Sequence, residues 1–268
     1  MKILGRTAIL ALLVAPVCAA QQIPADFDSW IANVSEQALE SLQKPAEPLM
    51  QVKAEAVVFH ETCGSRWISV YSEEPENNEL VCQGFRQGRQ FMEALGYHPK
   101  KPINLFVVKK FPEKLGVAEA DVHGCVDMDT LDIYMTPFRL FSQLSPDKTL
   151  MDVGPGKELY ISYVAHEVNH PIAAQNYADT SKKLPKVQAE YIAYASQLAT
   201  MDEALRQEVL KRFRDKNWDP FEGPSDITLD YHDMNPNGFA VKSYLYFQTP
   251  EGKKLVHDYI NAKINSAN

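Results

Sequence analysis

The chain has 268 residues, 45% of them hydrophobic and 23% charged, with 12 Gly, 17 Pro and 4 Cys. This is ordinary globular composition, and it excludes a disordered chain, a collagen-like repeat and a disulfide-dense miniprotein. The formal charge of -8 is opposite in sign to that of a basic nucleic-acid binder, so no nucleic-acid partner is expected.

Lys2 and Arg6 give the chain a charged start, Ile9 to Val17 form an apolar run, and Cys18-Ala19-Ala20 offers small residues for cleavage. Residues 1–20 therefore read as a secretory signal peptide cut after Ala20. The apolar run is too short for a stop-transfer helix, and Val17 is bulky for a site that would lipidate Cys18. The expectation is a soluble protein, secreted or periplasmic, with no membrane insertion after cleavage and a single domain over 21–268. Export leaves Cys63, Cys82 and Cys125 in an oxidising compartment. Cys63 and Cys82 are the plausible pair, closing a loop of about 20 residues with a stabilisation of roughly 3 kcal/mol in the chain-entropy model. Three buried thiols are the alternative.

Asp28 to Gln43 reads as an amphipathic helix ended by Pro45 and Pro48. Val52 to Phe59 and Trp67 to Tyr71 read as strands around a Cys63-Gly64 turn. Glu76 to Leu95 is helical, stopped by Gly96. Ile103 to Val108, between Pro102 and Pro112, reads as a buried strand. In Val122 to Met135 apolar and polar residues alternate on either side of a tight Asp129-Thr130 turn, a hairpin pattern. Asp127, Asp129 and Asp132 fall on its solvated face, at a spacing that misses a calcium loop. Ser145 to Gly156 separates this part from helices at Glu158–Ala178, Lys186–Met201, Asp202–Arg214, Ile227–Asp233, Phe239–Gln248 and Pro250–Ala262. A sheet-bearing part, about 21–150, thus precedes a helical part, about 151–268. The fold class is α+β, a small mixed sheet with a hairpin followed by a predominantly helical C-terminal half.

The chemistry sits in His166-Glu167-Val168-Asn169-His170. Residues four apart share one helical face, so both imidazoles can reach one ion. Glu167 lies beside that ion without having to ligate it, and is placed to move a proton to and from water. Zinc lowers the pKa of such a water toward about 7. The helix is apolar nearly all round, which marks it as central. The next helix carries Val187, Tyr191, Tyr194 and Leu198 on its apolar stripe, with Glu190 among them. A carboxylate on a core-facing stripe needs a partner, and a metal is one.

His166-Glu167-x-x-His170, with nineteen residues before Glu190, resembles the gluzincin branch of zinc metallopeptidases. The resemblance covers about Gly124 to Thr200. It implies a zincin-like fold, one zinc per chain on His166, His170 and Glu190, Glu167 as general base, and a peptide or protein substrate. It also implies that the strand pair at Gly124 to Met135 binds substrate in extended form along its edge strand. Two departures stand out. Pro171 follows the second His, where it removes a hydrogen bond to the Glu167 carbonyl and is expected to kink the helix. Tyr194 stands where thermolysin-like enzymes place the Asp that orients a ligand His, so that partner must come from elsewhere.

Other readings remain open on the residues alone. The two histidines can be satisfied core residues, and Glu190 can pair with a Lys or Arg. Asp179 is the rival third ligand. His123 reads as a surface strand residue, or as a fourth polar group at the cleft. Tyr231, His232, Tyr244 and Tyr246 are candidates for stabilising an oxyanion, although Tyr244 to Phe247 also reads as helix packing. Lys182, Lys183 and Lys186 read as a solvated helix entrance. The expected function is a secreted zinc-dependent metallopeptidase-like hydrolase. The alternative is a zinc-binding but non-catalytic exported binding or structural module, for which a retained base at Glu167 has no use.

Overall fold

A computed structural model describes residues 59–116 and 123–263, which fall in one compact unit, Ala56–Asn268. The leader, the Asp28–Gln43 helix, most of the Val52–Phe59 strand and Val122 lie outside the described residues.

Two strands, β1 (Phe59–Glu61) and β2 (Ile68–Ser72), lead into helix α1 (Pro75–Ala94) and then β3 (Ile103–Val107). The hairpin strands β4 (Gly124–Val126) and β5 (Ile133–Met135) follow, then one turn of helix, α2 (Phe138–Phe141). The remaining elements are helical: α3 (Lys157–Asn176), α4 (Lys186–Thr200), α5 (Glu203–Asp215), α6 (Leu229–Met234), α7 (Pro236–Phe247) and α8 (Pro250–Ile260). The fold is α+β, as its residue pattern implies.

The five strands form one mixed sheet in the order β1-β2-β3-β5-β4. β2, β3 and β5 run parallel, and the flanking β1 and β4 pair antiparallel with their neighbours. Ile68, Val70, Ile103, Leu105, Ile133 and Met135 are fully buried on the face toward the helices. The opposite face carries a row of stacked rings, His60, Tyr71, Phe106 and Tyr134, with centroids 4.9, 5.0 and 5.4 Å apart. β3 is therefore buried on one face only, with Asn104 and Phe106 half-buried on the other.

The hairpin keeps the expected register, Gly124 opposite Met135 and Val126 opposite Ile133. Its turn is longer than a two-residue one. A type I′ turn asks for positive φ at both central residues, which the β-branched Thr130 resists. The strands instead part at Asp127, and Met128–Leu131 loop round to Leu131, which takes φ 63 and donates its N–H to the Asp127 carbonyl at 2.6 Å. Asp127 is not on a solvated face. It is buried, paired with Lys114, and its carboxylate accepts from the N–H groups of Asp129 at 2.9 Å and Thr130 at 3.4 Å.

α1 and α3 lie backbone to backbone. A Cβ added at Gly84 would sit 2.5 Å from Val164 Cβ and 2.7 Å from the Ile161 carbonyl oxygen, and one at Gly88 would sit 2.8 Å from the Ala165 carbonyl oxygen. This contact fixes the back of α3 and leaves its other side to carry a site. α3 runs unbroken through Pro171, so the expected kink does not interrupt it. Burial on every side holds the helix where one hydrogen bond is missing: Leu159 to Ser162 and Val164 to Ala173 are all buried. A disulfide joins Cys63 to Cys82, with Cα atoms 5.1 Å apart, and Cys125 is a free thiol. No helix among the described residues is long and apolar enough to cross a membrane.

Candidate metal centre

His166 and His170 project from one face of α3, and α4 brings Glu190 against them. His166 Nε2 lies 3.2 Å from His170 Nε2 and 3.4 Å from Glu190 Oε2, and His170 Nε2 lies 3.9 Å from the same oxygen. Ligand atoms held about 2.0–2.1 Å from a tetrahedral ion stand about 3.3 Å apart. The three atoms are therefore spaced as one metal would space them, and together they form a possible metal-binding group. Two imidazoles and a carboxylate are a donor set for a divalent transition-metal ion. No other His, Cys, Asp or Glu joins this group among the described residues.

The three groups are strongly coupled. Burial pushes Glu190 up, but His170 and His166 outweigh it and hold the carboxyl down at about 2. Burial disfavours charge on both imidazoles. It wins at His170, which falls to about 4, whereas Glu190, Glu167 and Gln197 raise His166. Of the three, the ionised Glu190 and the neutral His170 are in the form a divalent cation requires, while His166 is drawn toward its protonated form.

Glu167 stays outside the donor triangle. Burial lifts its carboxyl to about 7, and the Glu190 charge adds to this against the pull of His166. The hairpin holds it in place: a Cβ at Gly124 would lie 2.7 Å from Glu167 Cγ and 2.8 Å from Glu167 Oε1. Only a glycine lets β4 pass this close.

These groups line a cavity of about 940 Å³ whose other wall is β4. β4 is an edge strand. His123 and Asp127 exchange backbone hydrogen bonds with the β5 side, the His123 carbonyl accepting from Thr136 and the Asp127 N–H donating to Asp132. By the two-residue period of an antiparallel ladder, the N–H and C=O groups of Gly124 and Val126 point away from β5, toward the open edge. The far wall includes Lys148–Leu150, set by hydrogen bonds from Leu150 N–H to Tyr163 Oη at 3.1 Å and from Met151 N–H to Asn237 Oδ1 at 2.9 Å.

The other candidates separate clearly. His232, on α6, lines the cavity, with Nε2 3.8 Å from Glu190 Oε2 and Nδ1 2.8 Å from Asp233 Oδ1. Tyr231, Tyr244 and Tyr246 do not line it; they pack against Phe221, Arg206 and Tyr191 respectively. Asp179 is also elsewhere: its carboxylate accepts from Ser181 and pairs with Lys182 at 3.6 Å, in the turn after α3. The nine residues from His170 to Asp179 are used for that local turn instead of returning to the His166–His170–Glu190 group. His123 is not a surface residue. It is buried at the cavity wall, with Nε2 2.7 Å from the Lys148 carbonyl oxygen, between Phe141 and Tyr163. Lys183 and Lys186 also reach the cavity mouth, paired with Asp129 and Asp233. Tyr194, read from the sequence as part of the apolar stripe of α4, packs its ring on His166 at a centroid distance of 4.4 Å. Its place four residues after Glu190, on the same helical face, was the signal for it.

A family model described as a family of unknown function, DUF6639, matches residues 68–266, and the chain belongs to that family. No curated protein and no solved structure matches the chain.

Proposed function

We propose that this member of the family is an exported, zinc-dependent, metallopeptidase-like hydrolase of peptide bonds. The observation that carries the reading is the conjunction of His166, His170 and Glu190 at metal-ligand spacing with a separate, buried Glu167 beside an open strand edge. A purely structural zinc site has four protein ligands and no need of a base; three ligands and a neighbouring carboxyl are the pattern of a hydrolytic one. A zinc ion held there would supply Lewis acidity, polarising a carbonyl and making water acidic near neutral pH. Glu167 takes a proton from the attacking water and returns it to the leaving amine, a task suited to a carboxyl whose burial places it at about 7. The outward N–H and C=O groups of Gly124 and Val126 bind an extended peptide by its backbone. His232, steadied by Asp233 at 2.8 Å, is the group at the cavity best placed to donate to a developing oxyanion. Export is supported by the leader pattern and by the Cys63–Cys82 disulfide, a bond characteristic of oxidising compartments.

The test is Glu167→Gln. The variant is expected to keep its zinc and to lose hydrolysis of a peptide that the wild-type protein cleaves by roughly 10²–10⁴-fold. Undiminished hydrolysis in Glu167→Gln, or hydrolysis that survives removal of the metal, would overturn the reading.

A further inference from the structure

Behind the ligands, away from the cavity, α3 and α4 meet over a seam of fully buried polar side chains, Ser162, Asn169, Ser196 and Gln197. A buried polar atom is tolerated when it is paired, so the pairing along this seam can be followed atom by atom. Ser162 Oγ gives its only proton to the Leu159 carbonyl oxygen at 2.7 Å. It can therefore only accept from Gln197, and the Gln197 amide nitrogen faces it at 3.4 Å. That choice orients the amide and turns Gln197 Oε1, an acceptor, the other way.

A donor and two acceptors are then left over along this seam: His166 Nδ1, and the side-chain oxygens of Gln197 and Asn169. Gln197 Oε1 and His166 Nδ1 are both buried, and neither has a hydrogen-bond partner among the described residues. Gln197 lies seven residues after Glu190 in the sequence, two turns further along the same face of α4. Gln197 meets Ser162, which lies four residues, about one helical turn, before His166 on the same face of α3.

We infer that Gln197 is the positioning residue of the metal centre: its Oε1 accepts the His166 Nδ1–H, which fixes the tautomer, turns the ring and leaves the Nε2 lone pair for the metal. The inference rests on the metal reading above. It supplies the polar partner that Tyr194 cannot, since Tyr194 packs its ring against His166 and offers no carboxylate. Hydrogen bonds from ligand imidazoles to such partners set ligand orientation and basicity.

The test compares wild type, Gln197→Leu and Gln197→Glu, each stripped of metal and titrated with zinc against a chromophoric chelator. Gln197→Leu, which keeps the volume and removes the acceptor, is expected to weaken zinc binding about 10–100-fold. Its metal-free melting temperature should stay near that of wild type, and Gln197→Glu, which restores an acceptor, should recover most of the affinity. Nitrogen-15 NMR of the metal-free wild-type protein provides a measurement free of folding effects, and should find neutral His166 carrying its proton on Nδ1. Zinc affinity in Gln197→Leu within about twofold of wild type, or a proton on Nε2, would overturn the role of Gln197 alone. Failure of the wild-type protein to take up zinc would overturn the metal reading, and the NMR measurement would then judge the His166–Gln197 contact separately.

Discussion

At the scale of single residues the site depends on what is left out as much as on what is present. Gly124 has no side chain, and that is why Glu167 and the hairpin can occupy adjacent space. An added methyl at this position would meet Glu167 Cγ and Met135 Sδ, each at 2.7 Å. Overpacking of this kind costs about 1–3 kcal/mol, and here the most movable atoms are those of Glu167. Gly124→Ala is therefore expected to lower kcat/KM on a cleaved peptide by roughly 10–100-fold while zinc stays bound, because a shift of about 1 Å in a reacting group is enough for that loss. Kinetics and metal analysis on one preparation check it; an Ala variant with wild-type kcat/KM contradicts it. The grouping of His166, His170 and Glu190 was legible because helical periodicity places them by arithmetic. The irrelevance of Asp179 was not, because a turn that spends its carboxylate on Ser181 leaves no trace in spacing. Neither was the arrival of His232 at the cavity, which depends on how α6 docks.

Among the elements, the long helices were readable to within two or three residues of their ends, several of them opening with Pro or a capping Asp, Thr or Asn, whereas the single turn α2 was not read at all. The hairpin was readable in register and misread at its turn. The alternation sets which residues face which, but the local preference of Thr130 decides how many residues the turn takes. The same turn draws Asp127 inward. The Lys114 ammonium, helped by the Asp129 and Thr130 N–H groups, holds its carboxyl down at about 2. The unfolded chain binds that proton at about 3.9. A carboxyl with a depressed folded-state value stabilises the fold above its unfolded value, and the contribution disappears as pH falls through the folded value. Asp127→Asn is accordingly expected to be less stable than wild type at pH 7. The gap should close between about pH 4 and pH 2, as denaturant unfolding across that window will register. A gap that persists unchanged at about pH 2 would contradict this assignment.

The whole molecule is organised around one buried helix. The sheet and α1 close on the back of α3 through Gly84 and Gly88, α4 closes on its flank, and the cavity opens where β4 stops short of covering its front. The disulfide, with its half-cystines 19 residues apart, ties the β1–β2 turn to α1. By the loop-entropy estimate it is worth about 3 kcal/mol, and it leaves the cavity untouched. An α+β class was legible because strand-like and helix-like periodicities fall in successive halves of the chain. The strand order was not, since β3 pairs with β5 and leaves β4, which comes between them in the chain, at the sheet edge, and no local pattern encodes that choice. The central claim is that this arrangement exists to hold a metal, and elemental mass spectrometry tests it most directly. Mature protein exported to a periplasm and purified without chelator or His-tag would be measured beside Glu190→Ala. The account predicts about one zinc per wild-type chain and its loss from the variant. Wild-type protein that takes up no zinc even when zinc is added back, or a Glu190→Ala variant that keeps a full equivalent, would contradict it.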